Sequence, residues 1–223
     1  MVFFHLSTLK KIISTFNSNF GTLLLLLYKP VGFWVVSLLW GLVCSLPHTL
    51  GTTSSNPGSP VTLAVGGTIY LLGLVTESMA DYQKWSFKGV STNSGRFCNA
   101  GLWSVTQHPN FFGNLLLWVG ILIMNSDALV DVNAATATGV DGVWATLWGG
   151  RRLMVACLSP LFMWLLFSGQ ANGTITNSVE LANERYGADP KFREYVEGVP
   201  TLVPNLVPWL KELFGGLLRG GKY

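Results

Sequence analysis

The chain has 223 residues, 49% of them hydrophobic and only 11% charged, with nine tryptophans and a net charge of +3. Soluble domains carry roughly a quarter charged residues, so an ordinary soluble globule is excluded, and a charge this small gives no argument for nucleic acid. Cys44, Cys98 and Cys157 fall singly, without CxxC spacing, which removes a disulfide framework and a zinc site; no metal is expected.

Residues 1–29 open the chain with Lys10 and Lys11 ahead of Ile12, Ile13 and a leucine run from Leu23 to Leu27. This resembles a signal anchor or an extra span, and its serine-rich, acid-free start also suits an organellar transit peptide. An extra or partial helix is the preferred reading. From Val31 to Thr76 there is no Asp, Glu, Lys or Arg, and lipid is the expected solvent.

Four segments are long enough to cross a hydrocarbon core of about 30 Å: residues 31–48, 61–79, 111–124 and 153–170. The expected fold is an all-α, multi-span transmembrane helical bundle of about four to five spans, with polar connections and tail in the cytosol. Residues 30–204 form its membrane domain and 205–223 a C-terminal tail. The stretches 51–60 and 125–141 read as loops by their Gly, Pro, Ser, Thr and Ala content.

Orientation follows the basic residues near span ends. Lys84, Lys88 and Arg96 lie in the second connection, and Lys191, Arg193, Lys211, Arg219 and Lys222 in the tail, on one side if four spans are right. Arg151 and Arg152 conflict with that count unless the fourth helix starts earlier, around Val143.

Chemistry is expected between Glu77 and Asn114, a polar stretch between two apolar runs, because polar groups persist at such a place when something polar binds there. Glu77, Asp81, Lys84 and Lys88 share one helical stripe, with Gln83 slightly aside. The stripe suits either an intrahelical ion-pair ladder or a nucleotide, whose phosphates lysines meet as point charges. Arg96, between turn-forming glycines, suits bidentate phosphate contact. Pro109 fits the first turn of a helix, which places His108 and Asn110 where the third span begins, with Asn114 four residues on. After the fourth span, residues 177–187 read as a polar helix, with Asn183 and Gly187 on one face.

Taken in order, Glu77-x-x-x-Asp81-x-Gln83-Lys84-x-x-Phe87, Gly95-Arg96-Phe97-Cys98-x-x-Gly101-Leu102-Trp103, His108-Pro109-Asn110-x-Phe112-Gly113 and Tyr186-Gly187-x-Asp189-Pro190-x-Phe192-x-x-Tyr195 resemble the uncharacterised membrane family related to the C-terminal domain of steroid 5-alpha-reductases. The resemblance runs from about Pro30 to Pro204. It implies an NADPH-dependent membrane reductase of a carbon-carbon double bond in an apolar sterol or lipid enone, in the endoplasmic reticulum or a plastid membrane. It also implies Asp81, Lys84, Lys88, Asn110 and Tyr195 as nucleotide-binding residues, with Glu77 and Gln83 close by. Arg96 joins them by its own chemistry, and His108 and Asn114 are the catalytic candidates.

Asn114 and Asn183 stand where that family usually has Glu, and its N-terminal helices have no match in residues 1–29. Two alternatives follow: an S-adenosylmethionine-dependent membrane methyltransferase, whose relatives also carry a His-Pro motif followed by glycine, and a non-catalytic lipid-binding membrane scaffold.

Overall fold

The computed structural model describes residue 31 and residues 34–56, 58–131, 133, 142–175 and 178–218; the expected extra helix or transit peptide in residues 1–29 lies outside them. The chain divides after Val43 into two compact units, and the second, from Cys44 onward, holds the site. Among the described residues the regular structure is helical, without strands. Four helices among the described residues are long and apolar enough to cross a membrane: α1 (Trp34–Thr52), α2 (Pro60–Gly89), α3 (Pro109–Leu129) and a fourth run, Arg151–Ala171. The protein is an integral membrane protein.

The second span continues without a break through the polar stretch. Ser59 caps α2 by accepting a hydrogen bond from Val61 N, and Pro60 occupies the first turn, where its missing N–H costs nothing. Thirty residues make a rod of about 45 Å, longer than the hydrocarbon core, so its last turns stand beyond the lipid tails.

Helix α3 starts at Pro109, as its sequence requires, but continues to Leu129, so residues 125–129 of the expected loop are helical. The reason lies across the bundle. The Asp127 carboxylate accepts from Ser59 N at 3.1 Å and Thr62 Oγ1 at 2.8 Å, tying the end of α3 to the start of α2. Helix α3 therefore closes a polar contact that a loop composition does not reveal.

Helices α2 and α3 run antiparallel with their backbones in contact. A Cβ on Gly66 would lie 2.7 Å from Gly120 O, and one on Gly73 would lie 2.6 Å from Gly113 O. Each pair is seven residues apart along both helices, which repeats one contact every two turns. Small residues govern helix association in lipid, where apolar burial gives little drive and close packing supplies the attraction.

The fourth span is preceded by α4 (Val143–Gly149) and built from α5 (Arg151–Ala156) and α6 (Leu158–Ala171). The backbone bonds Gly150 N to Thr146 O and Met154 N to Gly150 O carry the helix across the junction. The helical run thus does begin at Val143, and Arg151 and Arg152 lie inside it. Arg151 spends its guanidinium locally, donating to Trp148 O and lying 5.0 Å from that ring.

Beyond the spans, α7 (Ser178–Tyr186) and α8 (Pro190–Gly198) follow, the latter capped by Asp189, which accepts from Lys191 N. The segment set apart as a tail carries α9 (Leu206–Leu218). Its Trp209 and Leu213 are buried with Ala80, Leu102, Trp103 and Phe112 in one core cluster. A second cluster joins Cys44, Leu115, Met163, Phe167 and Leu202.

Candidate functional site

At the end of the bundle where α2 leaves the apolar zone, a cavity of about 450 Å³ opens between α2, residues 97–108, the end of α6, and helices α7 and α8. Its position follows from local structure. Between α2 and α3 the chain makes two single turns of 3₁₀ helix, Ser91–Asn93 and Gly101–Ser104. Gly101 has φ +61°, a left-handed conformation that favours glycine, and a Cβ there would lie 2.6 Å from Gln83 Oε1. Gln83 is buried, and its Oε1 accepts from Leu102 N at 2.9 Å. Gln83 therefore fixes the turn rather than facing the cavity.

That turn presents Trp103 as a wall. The indole Nε1 donates to Ala80 O at 2.8 Å, and Lys84 Nζ sits 4.1 Å from the ring centre, a cation-π contact that holds the ammonium in place. Tyr195, on α8, donates its hydroxyl to Trp103 O at 2.7 Å. Gln107 donates through Nε2 to Val196 O and Val199 O, and Thr106 Oγ1 donates to Leu202 O. Segments 89 to 96 residues apart are thereby stapled into one rim. Gln107 carries no signal in the sequence, since a lone glutamine before His-Pro belongs to no periodic pattern.

Burial, and secondarily the Lys84 ammonium, push the His108 imidazole down to about 4; at neutral pH the ring is uncharged. It stacks on Phe111 at 5.0 Å and 8°, and Phe111 stacks on Phe167 at 4.8 Å, which ties the cavity wall to α6. Burial, followed by the neighbouring Cys98 thiol, raises the Tyr195 phenol above its ordinary value, so that hydroxyl keeps its proton. Phe97 packs against Tyr195 and Phe192 at 5.3 and 5.2 Å, lining one side with aromatic faces.

Of the residues expected to form a site, Lys84, Lys88, His108 and Tyr195 line this cavity together, with Asn183 on the α7 side. The others are not on its wall. Asp81 is exposed, and Arg96 is exposed and donates to Asn93 Oδ1. The Asn110 side chain has its Oδ1 buried without a hydrogen-bond partner among the described residues.

Glu77 and Asn114 meet each other at the seam between α2 and α3. Asn114 Nδ2 donates to both Glu77 carboxylate oxygens, at 3.0 and 3.1 Å, while its Oδ1 accepts from Trp118 Nε1 at 2.9 Å. Each polar atom of Asn114 thus has a protein partner. Asn114→Ala is expected to destabilise the protein by about 1–3 kcal/mol, since it strands a half-buried carboxylate. Thermal unfolding in detergent would show a lowered melting temperature; an unchanged one would mean that the Glu77 contact carries no stability.

Residues 13–154, well over half of the chain, match the family described as "Protein of unknown function (DUF1295)". The chain is also similar to the probable O-methyltransferase ustE of Ustilaginoidea virens, 32% identical over 80 residues, which cover 36% of this chain and 26% of that protein. The aligned region is thus about a quarter of the length of the curated relative. No solved structure matches. The chain belongs to the DUF1295 family, within the steroid 5-alpha-reductase-like and methyltransferase-like membrane proteins.

Proposed function

We propose that this protein is a membrane reductase that holds NADPH in the cavity beside Trp103 and reduces a conjugated carbon-carbon double bond in an apolar substrate. The observation carrying this reading is the charge of the wall: Lys84 and Lys88 line it, and no carboxylate does among the described residues. Two ammonium groups suit a phosphate-rich dinucleotide. S-adenosylmethionine, with a sulfonium, an ammonium and a single carboxylate, offers two lysines far less negative charge than a dinucleotide does. The volume of about 450 Å³ falls within the range of ligand sites, and the faces of Phe97, Tyr186 and Phe192 offer stacking surfaces for flat rings.

NADPH, when bound, supplies the hydride. The protein's own part is placement. Lys84, held over Trp103, and Lys88, one turn on, attract the phosphates, while the Tyr195 hydroxyl fixes the wall by its bond to Trp103 O. His108, neutral in this setting, has one ring N–H to donate to a substrate carbonyl. The mouth faces the cytosol in this reading, since Lys84, Lys88, Lys191 and Arg193 all gather at this end.

The methyltransferase reading is kept alive by the similarity to a probable O-methyltransferase. Ligand-induced stabilisation separates the two, because a ligand that binds only the folded state stabilises it by about 2.7 kcal/mol at a hundred times its Kd. NADPH is expected to raise the melting temperature of the detergent-purified protein by about 5–10 °C for a chain of this size, and S-adenosylmethionine to leave it unchanged. The reverse result would establish the methyltransferase reading, and no response to either ligand would leave a lipid-binding scaffold.

A further inference from the structure

Helix α9 divides into three sectors around its axis. Trp209, Leu213 and Gly216 are buried against the protein, with the Trp209 ring edge-on to Phe112 at 5.3 Å and 89°. Leu206, Val207, Leu210, Phe214, Leu217 and Leu218 are exposed, Val207 at 64% and Leu218 at 88%. At 3.6 residues per turn these six fill one arc of roughly 120°. Lys211 and Glu212 occupy the remaining arc with Pro208 and Gly215.

We propose that α9 is an interfacial helix, its exposed apolar arc seated at the headgroup–acyl boundary of the protein's own bilayer. Three observations choose lipid as the occupant. First, the depth is right. The buried side of α9 packs on the Gly101–Ser104 turn in the core cluster that also holds Ala80, and within the next two turns of α2 stand Tyr82 and Trp85, 48% and 72% exposed, the aromatic pair that marks a membrane–water boundary.

Second, the length is right. Thirteen residues extend about 20 Å, too short to span the core and long enough to lie along its surface. Third, the arc is wholly Leu, Val and Phe. Protein-binding patches are enriched in aromatic residues, Met and Arg, whereas an arc with five Leu or Val residues and a single Phe, beside a polar arc carrying Lys211 and Glu212, is what an interfacial helix presents. Because the buried side of α9 backs Trp103, the bilayer surface supports the wall on which Lys84 rests.

The test places one nitroxide label at a time on the full-length chain in phosphatidylcholine vesicles, in a background where exposed Cys157 is replaced by Ser. Labels at Leu210→Cys, Phe214→Cys and Leu217→Cys are expected to collide more with dissolved oxygen than with a water-soluble nickel chelate, and the label at Lys211→Cys to show the reverse. All positions are exposed, so the variants are expected to keep the parent melting temperature; Leu206→Cys and Val207→Cys replace any that do not. Nickel access at every site would overturn the proposal by placing the arc in water. Spin–spin broadening between labels on different copies would overturn it in favour of a second copy as occupant.

Discussion

Lys84→Glu is expected to weaken NADPH binding by about ten- to a hundredfold, the equivalent of a lost charge-assisted contact of about 1.5–3 kcal/mol. The substitution removes an ammonium poised 4.1 Å from the Trp103 ring and puts a negative charge where the proposal places phosphate. Lys84→Met separates charge from packing, since it retains an apolar chain against the indole. It should lose less affinity than Lys84→Glu at a similar melting temperature. Arg96→Glu is the control, because Arg96 is exposed and stands outside the cavity wall. Titration of NADPH against each purified variant measures these differences. Equal affinity in Lys84→Glu and the parent would remove the dinucleotide from this cavity.

Gly113→Leu is expected to abolish the folded protein, and Gly113→Ala to lower its stability by about 1–3 kcal/mol or more, the usual cost of overpacking. A single added carbon on Gly113 would lie 2.5 Å from Glu77 N and 2.8 Å from Gly73 O. Both are backbone atoms of α2, which no side-chain rotation can move, so the helices must separate. Separation also pulls Asn114 from Glu77, coupling the packing defect to the polar seam. Gly89→Ala provides the contrast, since among the described residues nothing lies within 4 Å of a Cβ there, and at the last residue of α2 alanine is expected to be neutral or mildly stabilising. Thermal unfolding in detergent ranks the three. A Gly113→Ala protein as stable as the parent would show that α2 and α3 do not meet at their backbones.

Solvent preference was written plainly into the chain. Uncharged apolar stretches long enough to cross a bilayer marked the four spans, Pro109 marked where α3 begins, and the polar stretch after Glu77 pointed to the end of the bundle where the cavity opens. These features are local, set by composition and by the backbone chemistry of single residues. The paired glycines were also present in sequence, as Gly66 and Gly73 in one span and Gly113 and Gly120 in another. Their meaning needs the antiparallel register, which no single span contains.

Tertiary structure decided which polar groups face the cavity. Glu77, Asp81, Lys84 and Lys88 lie on one stripe of α2, and periodicity treats them as equivalent. They differ because what covers the stripe changes along its length. At Glu77 it is α3, which supplies Asn114; at Lys84 α3 has not yet begun and the Gly101–Ser104 turn supplies Trp103 instead. Helical period reports the face of a helix and carries nothing about what stands opposite it at each depth, so the split between a structural seam and a cavity wall emerges only when distant segments pack.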